Sequence, residues 1–66
     1  MDGVMSAETV SQAREMLAEI LKQRDAAAQH MSKASGDAFI FWSRIHRELY
    51  LAEGTIENFL EWEARA

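Results

Sequence analysis

Few side chains in this chain could do chemistry: two histidines, His30 and His46, and a file of carboxylates at Glu53, Glu57 and Glu61. A carboxylate-bridged metal pair inside a helical bundle needs Glu-x-x-His on each of two helices, so that both ligands project from one face. Neither His30 nor His46 has a glutamate three residues before it. Cysteine is absent, which removes thiolate zinc sites, disulfides and a thiol nucleophile together. A glycine-rich phosphate loop and a nucleophile elbow are also missing, so the usual catalytic signatures fail as a group. The expectation is a non-enzymatic chain with no catalytic residue, no metal, no cofactor and no small-molecule substrate, whose histidines are surface or edge residues. Glu53, Glu57 and Glu61 recur every fourth residue, the pattern of a solvated helix face. Arg44, His46 and Arg47 leave the start of the same segment basic, and an acidic line of this kind would also steer a basic partner.

The elements that must carry these residues follow from size and patterning. A chain of 66 residues makes at most one domain and hides a smaller share of its surface on folding than a domain of ordinary size. Without a disulfide or a metal, association is the expected remedy. Hydrophobic residues make up 48% of the chain and the net charge is -4, which fits a globular helical protein better than a disordered tail. The acidic balance argues against nucleic acid, whose affinity comes mostly from cations displacing counterions. No apolar run approaches the roughly 20 residues that span a bilayer, and Met-Asp-Gly-Val-Met lacks the basic start of a secretory signal. The expected address is cytoplasmic, with no membrane insertion.

Proline is absent and the glycines fall at Gly3, Gly36 and Gly54, so Ser35-Gly36-Asp37 is the single interruption in the middle of the chain. Gly36 suits the left-handed conformation that closes a helix, and Asp37 suits a cap on the next. The first helix is predicted over about 7–34 and the second over about 38–63, joined by a turn at 35–37. Its start lies near Ser6 or Thr9, with Thr9 and Gln12 at capping-box spacing, and the residues before it are expected to fray. Val10, Ala13, Leu17, Ile20, Arg24, Ala27, Met31 and Ala34 alternate steps of three and four, which sets them on one stripe. Trp42, Ile45, Leu49, Ala52, Ile56 and Phe59 do the same. The predicted fold is all-α, an antiparallel two-helix hairpin in which facing residue numbers sum to about 72. Ala13 then opposes Phe59, Ile20 opposes Ala52, Ala27 opposes Ile45, and Arg24 lies near Glu48.

The second helix holds more large apolar residues than one stripe can bury: Phe39, Ile40, Phe41, Tyr50, Leu51, Leu60 and Trp62 lie outside it. A helix apolar over much of its circumference must meet additional surface. That surface is expected to be a protein, either a second copy completing a four-helix bundle or a different partner. Gly54 costs roughly 1 kcal/mol relative to alanine inside a helix, and it shares a stripe with Arg47, Tyr50 and Leu51, where a missing side chain permits close approach. The residues expected to bind are Phe39, Phe41, Trp42, Arg44, Arg47, Tyr50, Leu51, Gly54 and Trp62. Tyrosine, tryptophan and arginine lead because they most often anchor interfaces. Trp42 is the one whose spacing also makes it core.

At Ser35-Gly36-Asp37-Ala38 and Glu53-Gly54-Thr55-Ile56, about half the chain resembles the small E-type co-chaperones of type III secretion needle assembly, the YscE/PscE-like helical hairpins. That resemblance implies a partner of the tetratricopeptide-type chaperone class and a role in keeping needle subunits from polymerising. The tail Glu61-Trp62-Glu63 has no counterpart in it. A phage or mobile-element protein that disables a host regulator is the other expectation, since such jobs suit compact acidic helical chains.

Overall fold

The computed structural model describes residues 6–65. The expected fraying before the first helix falls outside them. Two helices account for nearly all of this span: α1, Ala7–Lys33, and α2, Gly36–Arg65. No helix of the described residues is long and apolar enough to cross a membrane.

Helix α1 starts where Ser6, in extended conformation, accepts a hydrogen bond from the Thr9 amide on its Oγ at 3.2 Å. One of the amides orphaned at every helix start is thereby satisfied. Thr9 is therefore the third helical residue rather than the cap, and Gln12 reaches back to the Glu8 carboxylate instead of closing a box. The helix ends at Ala34, whose extended backbone still donates to the Met31 carbonyl. The chain then reverses at Gly36, whose φ of +61° is a conformation that a β-carbon disfavours. Asp37 departs from expectation. It lies inside the first turn of α2, where its charge meets the positive end of the helix dipole, instead of preceding the helix as a cap.

Two contacts fix the relative direction of the helices. The imidazole of His30 stacks on Trp42, and farther from the turn Arg24 bridges to Glu53. As the α1 number falls the α2 number rises, so the pair is antiparallel. The His30–Trp42 pair sits at the expected sum. The resulting rod measures 51 × 14 × 14 Å.

Every α1 stripe residue, from Val10 through Ala34, is half-buried or better, and beyond these only Thr9 is partly covered. On α2 the covered band includes Trp42, Ile45, Leu49, Ala52, Ile56 and Phe59, and it widens to His46, Glu53, Leu60 and Glu63; the small residues Ser43 and Gly54 are also partly covered. The widening follows heptad spacing, with 46, 53 and 60 each one step from the stripe. Leu60 thus belongs to the hairpin contact and not to the surplus. Ala27, set against Ile45 by the register, is 1% exposed and is the only fully covered residue among those described. A two-helix pair covers its contact line from one side only, so larger side chains remain half-open to water.

The polar interruption also differs from expectation. Arg24 pairs with Glu53, whose carboxylate is better shielded than the guanidinium, whereas Glu48 is exposed. Glu53 lies on the covered flank of α2 and Glu48 does not, and the long arginine side chain spans the extra turn along the rod.

Candidate functional site

The nine residues expected to bind a partner all lie on α2, but the fold sorts them into separate groups. Trp42 is half-buried in the helix contact, with His30 stacked on it at 4.1 Å and an interplanar angle of 12°. Phe41 presents its ring edge-on to the same indole, with centroids 5.1 Å apart. This aromatic cluster closes the turn end of the hairpin, and Trp42 is committed to folding. Phe41 remains more than half exposed beside it. Sequence reading placed His30 on the surface or an edge, and it is exposed. Its stacking partner was signalled by the register, because 30 and 42 meet the hairpin sum.

Phe39 and Tyr50 lie 11 residues apart, which is close to three helical turns, and share one flank of α2. Both are exposed.

The remaining residues belong to the side turned away from α1. Ile40, Leu51 and Trp62 are each 11 residues apart, so they form a nearly straight line with members about 16.5 Å apart. They are 52%, 52% and 70% exposed. Ile40 was counted in the apolar surplus but not among the binding residues, and the even spacing is what brings it in. Arg44 and Arg47 lie between the first two members of the line and are exposed. Among the described residues neither is in an ion pair; the bridges found are Arg24–Glu53 and Arg65–Glu61.

Between the second and third members the line is small and smooth. A β-carbon built on Gly54 would meet nothing within 4 Å, so the hairpin itself does not require glycine there. The Thr55 hydroxyl donates to the Leu51 carbonyl at 3.1 Å, which turns its polar group onto the helix's own backbone. Beyond it the carboxylates Glu57 and Glu61 flank the line, with Glu61 held by Arg65 one turn later. A surface pair of this kind contributes little to stability.

Chemically the face offers contact and charge. Among the described residues no three histidine, cysteine or carboxylate side chains gather in a way that would hold a metal ion. What the arrangement can do is cover apolar area, with cations grouped toward one end and anions toward the other. Comparisons of the chain with family models, curated proteins and solved structures find no match.

Proposed function

We propose that this chain is a non-enzymatic protein–protein interaction module that sequesters, stabilises or inhibits a larger partner protein through the apolar and aromatic face of α2. One observation carries the reading. Six large apolar side chains of α2, Phe39, Ile40, Phe41, Tyr50, Leu51 and Trp62, are 44–70% exposed, while the hairpin fully buries a single alanine among the described residues. Scattered exposed apolar residues are ordinary on any protein. Six on one helix, spread over its flank and outward line and including a tyrosine and a tryptophan, are more than scattered exposure supplies.

The test is affinity capture from the native cell with the wild-type chain and with Tyr50→Ala and Trp62→Ala as baits, alongside circular dichroism. The expected result is loss of the captured protein with helicity retained. Parallel loss of both would assign these residues to folding alone and remove the reading.

A second reading, docking on a tetratricopeptide-type chaperone, rests on the resemblance of two stretches to needle co-chaperones. Of the two stretches that carry the resemblance to needle co-chaperones, one forms the Gly36 turn and the other puts Gly54 and Thr55 beside the exposed Leu51. Direct titration of such a chaperone with the same two variants tests it.

A further inference from the structure

Resting on the reading of α2 as the docking helix, we propose that its outward line pairs antiparallel with the same line of a second copy, about a two-fold axis at Leu51.

The line is self-complementary. Ile40 and Trp62 lie 11 residues to either side of Leu51, so inverting the helix about Leu51 brings the Ile40 position onto the Trp62 position of the other copy. Leu51 then meets Leu51. An isologous contact requires this property, because one surface must serve as both halves of the interface.

Charge selects the direction. The half of α2 before Leu51 carries Arg44 and Arg47, both without an ion pair among the described residues. The half after it carries Glu57 and Glu61 outside the hairpin contact, whereas Glu53 is paired with Arg24 and Glu63 is partly covered. Antiparallel pairing brings the half of each copy that carries the arginines beside the half of the other that carries Glu57 and Glu61. Parallel pairing would set arginine on arginine and glutamate on glutamate, a like-charge arrangement that disfavours the complex. Beside the axis, Gly54 has room for a β-carbon that nothing in its own chain occupies, and Thr55 has withdrawn its hydroxyl. Both features permit two helix backbones to approach closely. The two hairpins would then stack as four helices with the α2 pair innermost, covering Ile40, Leu51 and Trp62 and leaving the flank of Phe39 and Tyr50 open to the larger partner.

The chain contains no cysteine, so single cysteines report register cleanly. Leu51→Cys is expected to form a disulfide dimer on mild oxidation, because an on-axis pair meets the distance a disulfide demands. Ile40→Cys alone is expected to stay uncrosslinked, whereas a mixture of Ile40→Cys and Trp62→Cys chains links to each other. Self-crosslinking of Ile40→Cys would mean a parallel pair and overturn the proposal. In sedimentation equilibrium, the wild-type chain should show a concentration-dependent dimer, and Leu51→Asp should raise its dissociation constant roughly thirtyfold or more. Arg44→Glu with Arg47→Glu should also weaken it, and adding Glu57→Arg with Glu61→Arg in the same chain should restore it. A folded monomer at every concentration overturns the self-pairing. The capture experiment with Tyr50→Ala and Trp62→Ala is independent of that result: a foreign protein still lost from those baits would leave the docking reading standing, and one bound equally by all baits would remove it.

Discussion

Turned away from the hairpin contact, α1 presents Glu8, Ser11, Glu15, Lys22, Asp25 and Gln29, whereas α2 presents Ile40, Leu51 and Trp62 with Arg44 and Arg47 between them. Both helices are of similar length, 27 and 30 residues, and both contribute one stripe to the same contact. Folding the hairpin therefore asks the same of each. The large exposed apolar residues on α1 are only Met16 and Leu21, close to what any solvated helix carries. The additional apolar area of α2 is not accounted for by the pairing of the two helices. That asymmetry is the observation on which the proposed docking role of α2 rests.

The largest effect should come from attacking what the two helices share. Leu17→Asp or Ile56→Asp places an unpaired charge in the half-buried contact and is expected to cost about 3 kcal/mol, enough to abolish a cooperative thermal transition followed by circular dichroism. Ala18→Asp, on the exposed side of α1, should cost only the difference in helix propensity, about 0.7 kcal/mol. A retained cooperative melt in Leu17→Asp would show that the contact line does not hold the hairpin together.

Arg24 and Glu53 give the next largest effect, since they are the ionic part of that contact. Their side chains are 28% and 13% exposed, between the surface pairs that contribute almost nothing and the buried pairs whose disruption costs several kcal/mol. Arg24→Met keeps the packing volume and strands the carboxylate, for an expected loss of about 1–2 kcal/mol. Pairing it with Glu53→Leu should return most of that loss, as measured by urea denaturation. No recovery in the double variant would mean that the loss does not come from a stranded Glu53 carboxylate.

These contacts also show where the sequence was legible. The α1 stripe could be read residue by residue because steps of three and four name the line along which a helix touches its neighbour. The width of the band on α2 could not. Leu60 and Glu53 are covered because helix phase carries them onto the flank, and the rule of facing numbers says nothing about phase. For the same reason the facing rule points to Glu48 for the ion pair. A glycine followed by an aspartate reads as stop then cap, which puts Asp37 before α2, whereas the helix begins at Gly36 itself. The exposed set on α2 was visible as apolar residues left over, but spacing within the set, and not its membership, separates the Ile40–Leu51–Trp62 line from the flank of Phe39 and Tyr50.

At the turn end, His30 and Trp42 supply a smaller contribution. Stacked rings add roughly 0.5–1.5 kcal/mol beyond the area they bury. His30→Ala by itself is a poor measure, because alanine is the better helix former and masks the loss. A double-mutant cycle with Trp42→Ala removes that bias and should return a coupling of about 1 kcal/mol. Zero coupling would make the stack a coincidence of position, and Trp42 would then hold the turn by burial alone.

The smallest effect has the opposite sign, and it probes the outward face of α2 most directly. Gly54 sits in a helix with room for a β-carbon on every side its own chain presents. Replacing it with alanine reduces the freedom of the unfolded chain without strain in the folded one, so Gly54→Ala should stabilise the dilute hairpin by about 0.5–1 kcal/mol. Loss of stability under those conditions would reveal an intramolecular role for the glycine. If instead the glycine serves close approach by a second helix, the added methyl group opposes that contact and association weakens while the single hairpin gains. Thermal melts at low concentration and sedimentation at high concentration read the two quantities separately. Opposite shifts would place the function of Gly54 outside its own chain, and a gain in both would show that Gly54 is not a point of close approach between copies.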